Sequence, residues 1–409
     1  MKRFWLGVFI ILFFGLMSSC AGTRALMQTA PSTPKKVQAT PAITTSSLSQ
    51  WETKKPELKT LFEANIYGDL PKTIGPATLQ NVKPVAHGAF NNSADIFEWT
   101  IQTQENFDPF KVIILKPTNY PTGKTLPIIS TQNFCPNHNV IPVDGISKPK
   151  RSGFSCDGDG AMANVFGYFF GRYITTPPVE MIMNRGYALA VVYPSDFVPD
   201  NAAAAAPYLS ELSQGDNPTG AIMAWAWQAS RIVDTLEDSN EFGDIITYGH
   251  SRYGKSALVA AAFDTRIDGV IAHQSGTGGA SLSRDKPGET VALVTEKFPH
   301  WFTPKFSSYA EDQSALPVDQ HELLALIAPR PIMLGNAKRD VWSDPEGAFR
   351  AAMGANPSYA LYGSKGLTAE KLTEFKPGDD IAYWMRPGTH GVVTEDWPAF
   401  LDFLDAHFK

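Results

Sequence analysis

Thr247-Tyr248-Gly249-His250-Ser251-Arg252-Tyr253-Gly254-Lys255-Ser256-Ala257 is the segment where this chain declares its architecture. The β-branched run Asp244 to Tyr248 leads straight to Ser251, and a helical stretch, Lys255 to Phe263, leaves straight after it. A strand that becomes a helix at a serine is the layout of a nucleophile elbow, in which a tight turn lifts the hydroxyl above the sheet edge. Glycines flank such a serine because side chains there would strike the neighbouring strand and helix. Gly249 fills the first slot and the second is displaced to Gly254, so a simple Gly-x-Ser-x-Gly pattern is not met. The competing reading is a serine that only caps a helix.

Outward from that turn, short apolar runs alternate with helical patterns. Val112 to Leu115, Leu126 to Ser130, Tyr187 to Tyr193, Gly269 to Ala272, Pro331 to Leu334 and Ile381 to Met385 read as strands. Gly220 to Leu236 and Phe400 to Phe408 read as helices, and another ends near Arg185-Gly186. Strands without polar alternation belong to a mostly parallel sheet covered on both faces. The first two strands lie too close for a helical crossover and are expected to form an antiparallel edge. The fold class is therefore α/β, a three-layer α/β-hydrolase sandwich with a mostly parallel central sheet.

The N-terminal end is of another kind. Lys2 and Arg3 precede an apolar run from Phe4 to Met17, too short for a membrane span of about 20 residues but suited to a signal peptide over residues 1–19. Leu16-Met17-Ser18-Ser19-Cys20 resembles a bacterial lipobox, which implies lipidation of Cys20; Met17 departs from the usual Leu, and ordinary signal-peptidase cleavage stays open. Residues 20–52 hold a Ser/Thr/Pro/Ala-rich stretch that cannot bury enough surface to order itself and is read as a tether. Residues 53–409 are then one catalytic domain, exported and held on a bacterial membrane, facing the periplasm or the cell surface. Losing Lys2 and Arg3 takes the formal charge from −6 to −8, which argues against nucleic acid as a partner. Of three cysteines, Cys135 and Cys156 remain once Cys20 is lipidated, and they either pair or stay as two buried thiols. No spacing of Cys and His marks a metal site, no cofactor is implied, and the protein is read as a monomer.

A serine nucleophile needs a base and a group to orient it. His390, in Gly388-Thr389-His390-Gly391 between the last strand and the terminal helix, stands where an α/β-hydrolase delivers its histidine. His407 lies within the terminal helix and His321 before an apolar helix, and both are weaker candidates. The backbone N–H of Arg252 is the first oxyanion donor by the geometry of the elbow. Lys255, one turn on, is expected to face the same mouth.

Gly249 to Lys255 matches Gly-x-Ser-Arg-x-Gly-Lys and resembles the elbow of the glucuronoyl esterases, carbohydrate esterase family fifteen, in their bacterial form. Ser275 to Ala280, Gly288-Glu289-Thr290, Leu316 to His321, Asp340 to Pro345 and Arg386 to Gly391 follow that family's order. The resemblance covers most of residues 180–409. It implies a serine esterase that cleaves esters of 4-O-methyl-glucuronate on xylan, with lignin alcohols as leaving groups. Other carbohydrate esterase chemistry, such as xylan deacetylation, and a non-catalytic glycan-binding role are the alternatives. The resemblance also implies that the Arg252 side chain supports the oxyanion and that Lys255, Glu289 and Trp342 bind the sugar. Many members carry Glu where this chain has Gln274, and a neutral amide cannot stabilise an imidazolium by charge. Bacterial members place an Asp after the next-to-last strand. Asp340 takes that role here, with Asp344 as runner-up.

The anchor has a direct test. A Cys20→Ala variant is expected to leave the membrane pellet and appear in the soluble exported fraction; a variant still pelleting with membrane would remove the lipoprotein assignment.

Overall fold

The computed structural model describes residues 30, 42–103, 107–121, 123–151, 156 and 170–409; the leader expected over residues 1–19 and the expected lipidation position Cys20 lie outside the described residues. The strands are β1 (Thr78–Gly88), β2 (Ala94–Gln102), β3 (Phe110–Pro117), β4 (Leu126–Gln132), β5 (Ala188–Val192), β6 (Phe242–His250), β7 (Gly269–His273), β8 (Ile332–Ala337) and β9 (Ile381–Arg386). They form one sheet of nine strands in the order β1-β2-β3-β5-β4-β6-β7-β8-β9. From β5 through β9 the neighbours are parallel, while β1, β2 and β3 pair antiparallel and join the rest through β3 and β5. The helices that matter below are α1 (Leu48–Phe62), α2 (Val179–Asn184), α3 (Ala202–Leu212), α4 (Ala221–Ser239), α5 (Arg252–Phe263), α6 (Val291–Lys297), α7 (Gln320–Ile327), α8 (Pro345–Leu361) and α9 (Asp396–Phe408).

Successive side chains of a strand point to opposite faces, and here both faces are apolar. Val270, Ala272, Ile332, Leu334, Ile381 and Tyr383 enter one core, shared with α4, α5, α7 and α8. Their alternates Ile271, Met333 and Ala382 enter the other, shared with α2 and α9. That two-sided demand is why these strands read as unbroken apolar runs. The expected antiparallel pairing of the Val112 and Leu126 runs is corrected: β3 forms an antiparallel edge with β1 and β2, which the sequence reading did not name, while β4 is an interior strand parallel to β5 and β6. The Ala188–Val192 run is buried at every position, so it takes an interior place paired on both sides. Helix α1 also begins inside the segment read as a tether, at Leu48, where the Ser47 hydroxyl accepts the Gln50 N–H and Trp51 is fully buried. Beyond β4, Cys135 and Cys156 form a disulfide with Cα atoms 5.7 Å apart.

Beneath the sheet edge, Asp319 opens α7 with a capping box: its carboxylate accepts the Gln320 N–H at 2.8 Å and the Glu322 carboxylate accepts the Asp319 N–H at 3.2 Å. Glu322 is nearly fully buried. Burial pushes its carboxyl up to about 7 from an ordinary 4.5, against the opposing Asp319 N–H and Lys54. Between those two values the folded protein binds more protons than the unfolded chain, so stability falls as pH rises through that window and the penalty is complete above it. A Glu322→Gln variant keeps the cap acceptor without the charge. It is expected to gain on the order of 1–3 kcal/mol at pH 8 and nothing near pH 4.5, read from urea unfolding at the two pH values. An equal shift at both would show that the buried charge is not the cause.

Candidate active site

The elbow is drawn tight by its surroundings. Ser251 sits at φ 57°, ψ −124°, a conformation costing an L-residue about 1–3 kcal/mol unless its surroundings hold it. The Ser251 N–H donates to His273 O on β7 at 2.8 Å, and the Gly254 and Lys255 N–H groups donate back to Ser251 O at 2.9 and 3.2 Å. A Cβ on Gly249 would lie 2.0 Å from Tyr253 O. One on Gly254 would meet Gly249 O at 3.0 Å and the Ser275 side chain at 3.1 Å. The displaced second glycine is thus where the helix grazes both β6 and the chain leaving β7. Ser251 caps α5 with no side-chain hydrogen bond, so the helix-cap reading of this serine fails.

His390 lies beyond β9, and its Nδ1 is 2.8 Å from Asp340 Oδ2, on the loop after β8. Burial pushes the Asp340 carboxyl up, but the charge and hydrogen bond of His390 and the hydrogen bonds from Ser343 outweigh it and hold the group below its ordinary range. Asp344 does something else: at φ 55° its carboxylate accepts the Gly347 N–H at 3.0 Å and caps α8. Gln274 grips the histidine loop by its backbone. Its Oε1 accepts the Gly391 N–H at 2.8 Å and its Nε2 donates to Thr389 O at 3.3 Å. A carboxylate there could accept the first bond but could not donate the second. Arg386 holds the same loop from behind, donating to Gly391 O at 2.7 Å and Pro387 O at 2.9 Å while its Nε pairs with Asp396 at 3.0 Å.

Two further histidines, not singled out by the sequence reading, back the first. The His250 ring lies 4.6 Å from the His390 ring, and His250 Nδ1 lies 3.2 Å from His273 Nδ1. Both are buried; desolvation, followed by nearby His390 and Arg386, holds their protonation far below the ordinary histidine range. They form a neutral wall behind the His390 ring.

Ser251, His250 and His390 line a cleft of about 640 Å³ with Phe134, Phe170, Ile174, Pro199, Asp200 and Arg252 among its walls. The Arg252 guanidinium pairs with Asp200 and lies 5.0 Å over the Trp301 ring. The expectation that Lys255 faces the mouth is corrected. Its ammonium is buried, and its three donors go to Ser275 O (2.7 Å), Thr277 O (2.6 Å) and Glu289 Oε2 (2.9 Å). Glu289 is its buried counter-ion, also accepting the Thr277 N–H at 3.1 Å, and neither residue lines the cleft. Trp342 keeps 37% of its surface exposed on the loop that carries Asp340, with the Lys297 ammonium 4.8 Å from its ring. Trp301 is packed. Among the described residues no group of His, Cys, Asp and Glu could hold a metal ion, and no helix is long and apolar enough to cross a membrane.

Residues 179–363 match a family model described as glucuronyl esterase of fungi. A carbohydrate esterase from an unknown prokaryotic organism is 32% identical over 380 residues, which are 88% of this chain and 86% of that protein. The solved structure of a promiscuous esterase of carbohydrate esterase family 15 from a marine bacterial metagenome has a TM-score of 0.77 at 31% identity, covering 92% of this chain and 98% of the other. The glucuronoyl esterase of Solibacter usitatus has a TM-score of 0.77 at 28% identity, covering 94% and 100%.

The geometry separates two acids and an amide by substitution. Asp340→Asn is expected to keep the fold and lower kcat by roughly ten-thousandfold, as loss of a triad acid does by leaving the wrong imidazole tautomer. Gln274→Ala, which loosens the loop but leaves the ion pair, is expected to cost far less. Steady-state turnover of the two variants beside Asp344→Asn decides it, and near-normal turnover in Asp340→Asn would move the acid elsewhere.

Proposed function

We infer the reaction from one premise: the chain belongs to carbohydrate esterase family 15. It is a carboxylic ester hydrolase of the glucuronoyl esterase kind, acting on esters of (4-O-methyl-)glucuronic acid. The observation that carries this is the strained Ser251 turn opening into the same cleft as a histidine already paired with a buried carboxylate.

Ser251 Oγ attacks the uronate carbonyl while His390 Nε2 takes its proton; Nδ1 is engaged by Asp340, which holds the tautomer and stabilises the imidazolium. The tetrahedral oxyanion receives the Arg252 N–H, at the start of α5 where helix N–H groups have no partner within the helix. The guanidinium of the same residue adds oriented N–H donors beside it. His390 then protonates the departing alcohol, and water, activated in the same way, releases the uronate from Ser251. The apolar walls Phe134, Phe170, Ile174 and Pro199 favour a bulky aromatic alcohol, which supports lignin–glucuronoxylan esters as the natural linkage. Trp342 offers the sugar an apolar face, while the Lys255–Glu289 pair stiffens the loop after β7. The leader, the lipobox-like Cys20 and the Cys135–Cys156 disulfide support an exported, lipid-anchored enzyme.

Purified protein is expected to hydrolyse benzyl and aryl glucuronate esters far faster than acetylated xylan, and Ser251→Ala to abolish that hydrolysis. Faster deacetylation of xylan by the unmodified enzyme would overturn the substrate assignment while leaving the esterase chemistry in place.

A further inference from the structure

An arginine one residue from the nucleophile creates a difficulty of its own. The substrate ester is neutral, but the product is a carboxylate, fully ionised at neutral pH. A guanidinium is a planar fork matched to carboxylates, and its hydrogen bonds to an anion are roughly twice as strong as neutral ones. Left to itself, Arg252 would hold the product better than the substrate.

Arg252 is not left to itself. Its Nη1 is paired with Asp200 Oδ2, while Asp200 Oδ1 accepts Trp301 Nε1–H at 2.8 Å and His300 Nε2–H at 3.0 Å. His300 is neutral: burial, then the charge of Arg252, pushes it down to about 4. Its Nδ1 is buried without a partner, as suits a ring that carries its proton on Nε2. Asp200 therefore receives one cation and two neutral donors, and the pair balances one to one. The rings of Trp301, Phe134 and Phe298 stand 5.0, 5.3 and 5.7 Å from the guanidinium and fix it without adding charge. Among the described residues lining the cleft, Asp200 is the one carboxylate and Arg252 the one guanidinium. The Asp200 backbone is set by its place just before α3, whose cap Asn201 accepts the Ala204 N–H at 3.1 Å.

We propose that Asp200 is a positioning and specificity residue that masks the charge of Arg252, so that the site accepts the neutral ester and releases the uronate; this rests on the uronic-ester reading above. Arg252 still supplies oriented N–H groups to a short-lived oxyanion, whose full charge sits on one oxygen close to the elbow. The stable carboxylate, with its charge spread over two oxygens, finds an arginine already neutralised and meets the Asp200 charge as well.

The test is calorimetric binding of sodium glucuronate, and of sodium acetate as a carboxylate without the sugar. Asp200→Asn is expected to bind both anions about tenfold tighter or more than the unmodified protein. Asp200→Glu, which keeps the charge, should bind them as the unmodified protein does. With Ser251→Ala as background, methyl glucuronate, the neutral ester, should change by less than about threefold. In turnover, progress curves of Asp200→Asn should flatten earlier as product accumulates. Unchanged or weaker anion binding in Asp200→Asn would overturn the proposal and leave Asp200 a structural partner of Arg252. Tighter acetate with no binding of either glucuronate compound would overturn the uronate reading and leave the masking role standing. If Asp200→Asn does not fold, Arg252→Gln decides: a masked arginine predicts glucuronate affinity within about twofold of the unmodified protein, and a tenfold loss would sink the idea.

Discussion

Ser251 holds a backbone conformation that an L-residue adopts only when its neighbours leave no other, and the sheet is built around that necessity. β6 must be interior, because the Ser251 N–H needs the His273 carbonyl of β7 on one side and the strand needs β4 on the other. α5 must start at once and lie close, which its buried face from Tyr253 to Ala262 achieves. Two apolar cores, one on each side of the sheet, keep helix and strand from sliding apart to relieve the turn. The hydroxyl then stands at the carboxyl edge of the parallel strands, where the chains leaving β4, β5, β7, β8 and β9 meet.

The histidine is delivered differently. Its loop, Pro387 to Gly391, has no regular structure of its own, so rigidity comes from side chains gripping its backbone: Arg386 from below and Gln274 from β7. Those groups are buried, where an unmatched donor or acceptor costs about 1–3 kcal/mol. That cost lets a few hydrogen bonds hold a loop as firmly as a helix would. Keeping His250 and His273 neutral serves the same end, since a second positive charge a ring's width from His390 would oppose its protonation during the reaction.

Much of this was legible in the chain. The largely buried strands β5 to β9 were readable because burial on both faces leaves an apolar run, and Gly249, Ser251 and Lys255 marked the elbow. β1 was not, since its residues are mostly exposed and its polar Asn81 and Lys83, with Pro84 beside them, mask a strand at a sheet edge. α8 was hidden by Pro357 and two glycines within it, and tertiary packing of Phe349 and Tyr359 overrides those weak local preferences. Ser251, His390 and Asp340 could be named because the fold orders them along the chain. Asp200 and His273 could not, because their partners lie far away in sequence and a contact made by folding leaves no local mark. Lys255 was visible as a residue but misplaced: a lysine early in a helix looks exposed until the Ser275 and Thr277 carbonyls that surround it are known.

Asp340 and Gln274 leave adjacent parallel strands, and both reach the same loop, one at the His390 ring and the other at the backbone on either side of it. The end of β7 and the end of β8 therefore serve one short loop from two widely separated points in the chain. A carboxylate supplied at the end of β7 would stand against the residues on either side of the imidazole that Asp340 holds. The loop is thus tied to both strand ends at once, by a charge at one and an amide at the other. Comparing such enzymes by aligned columns alone would score Gln274 as a broken catalytic position in an intact enzyme.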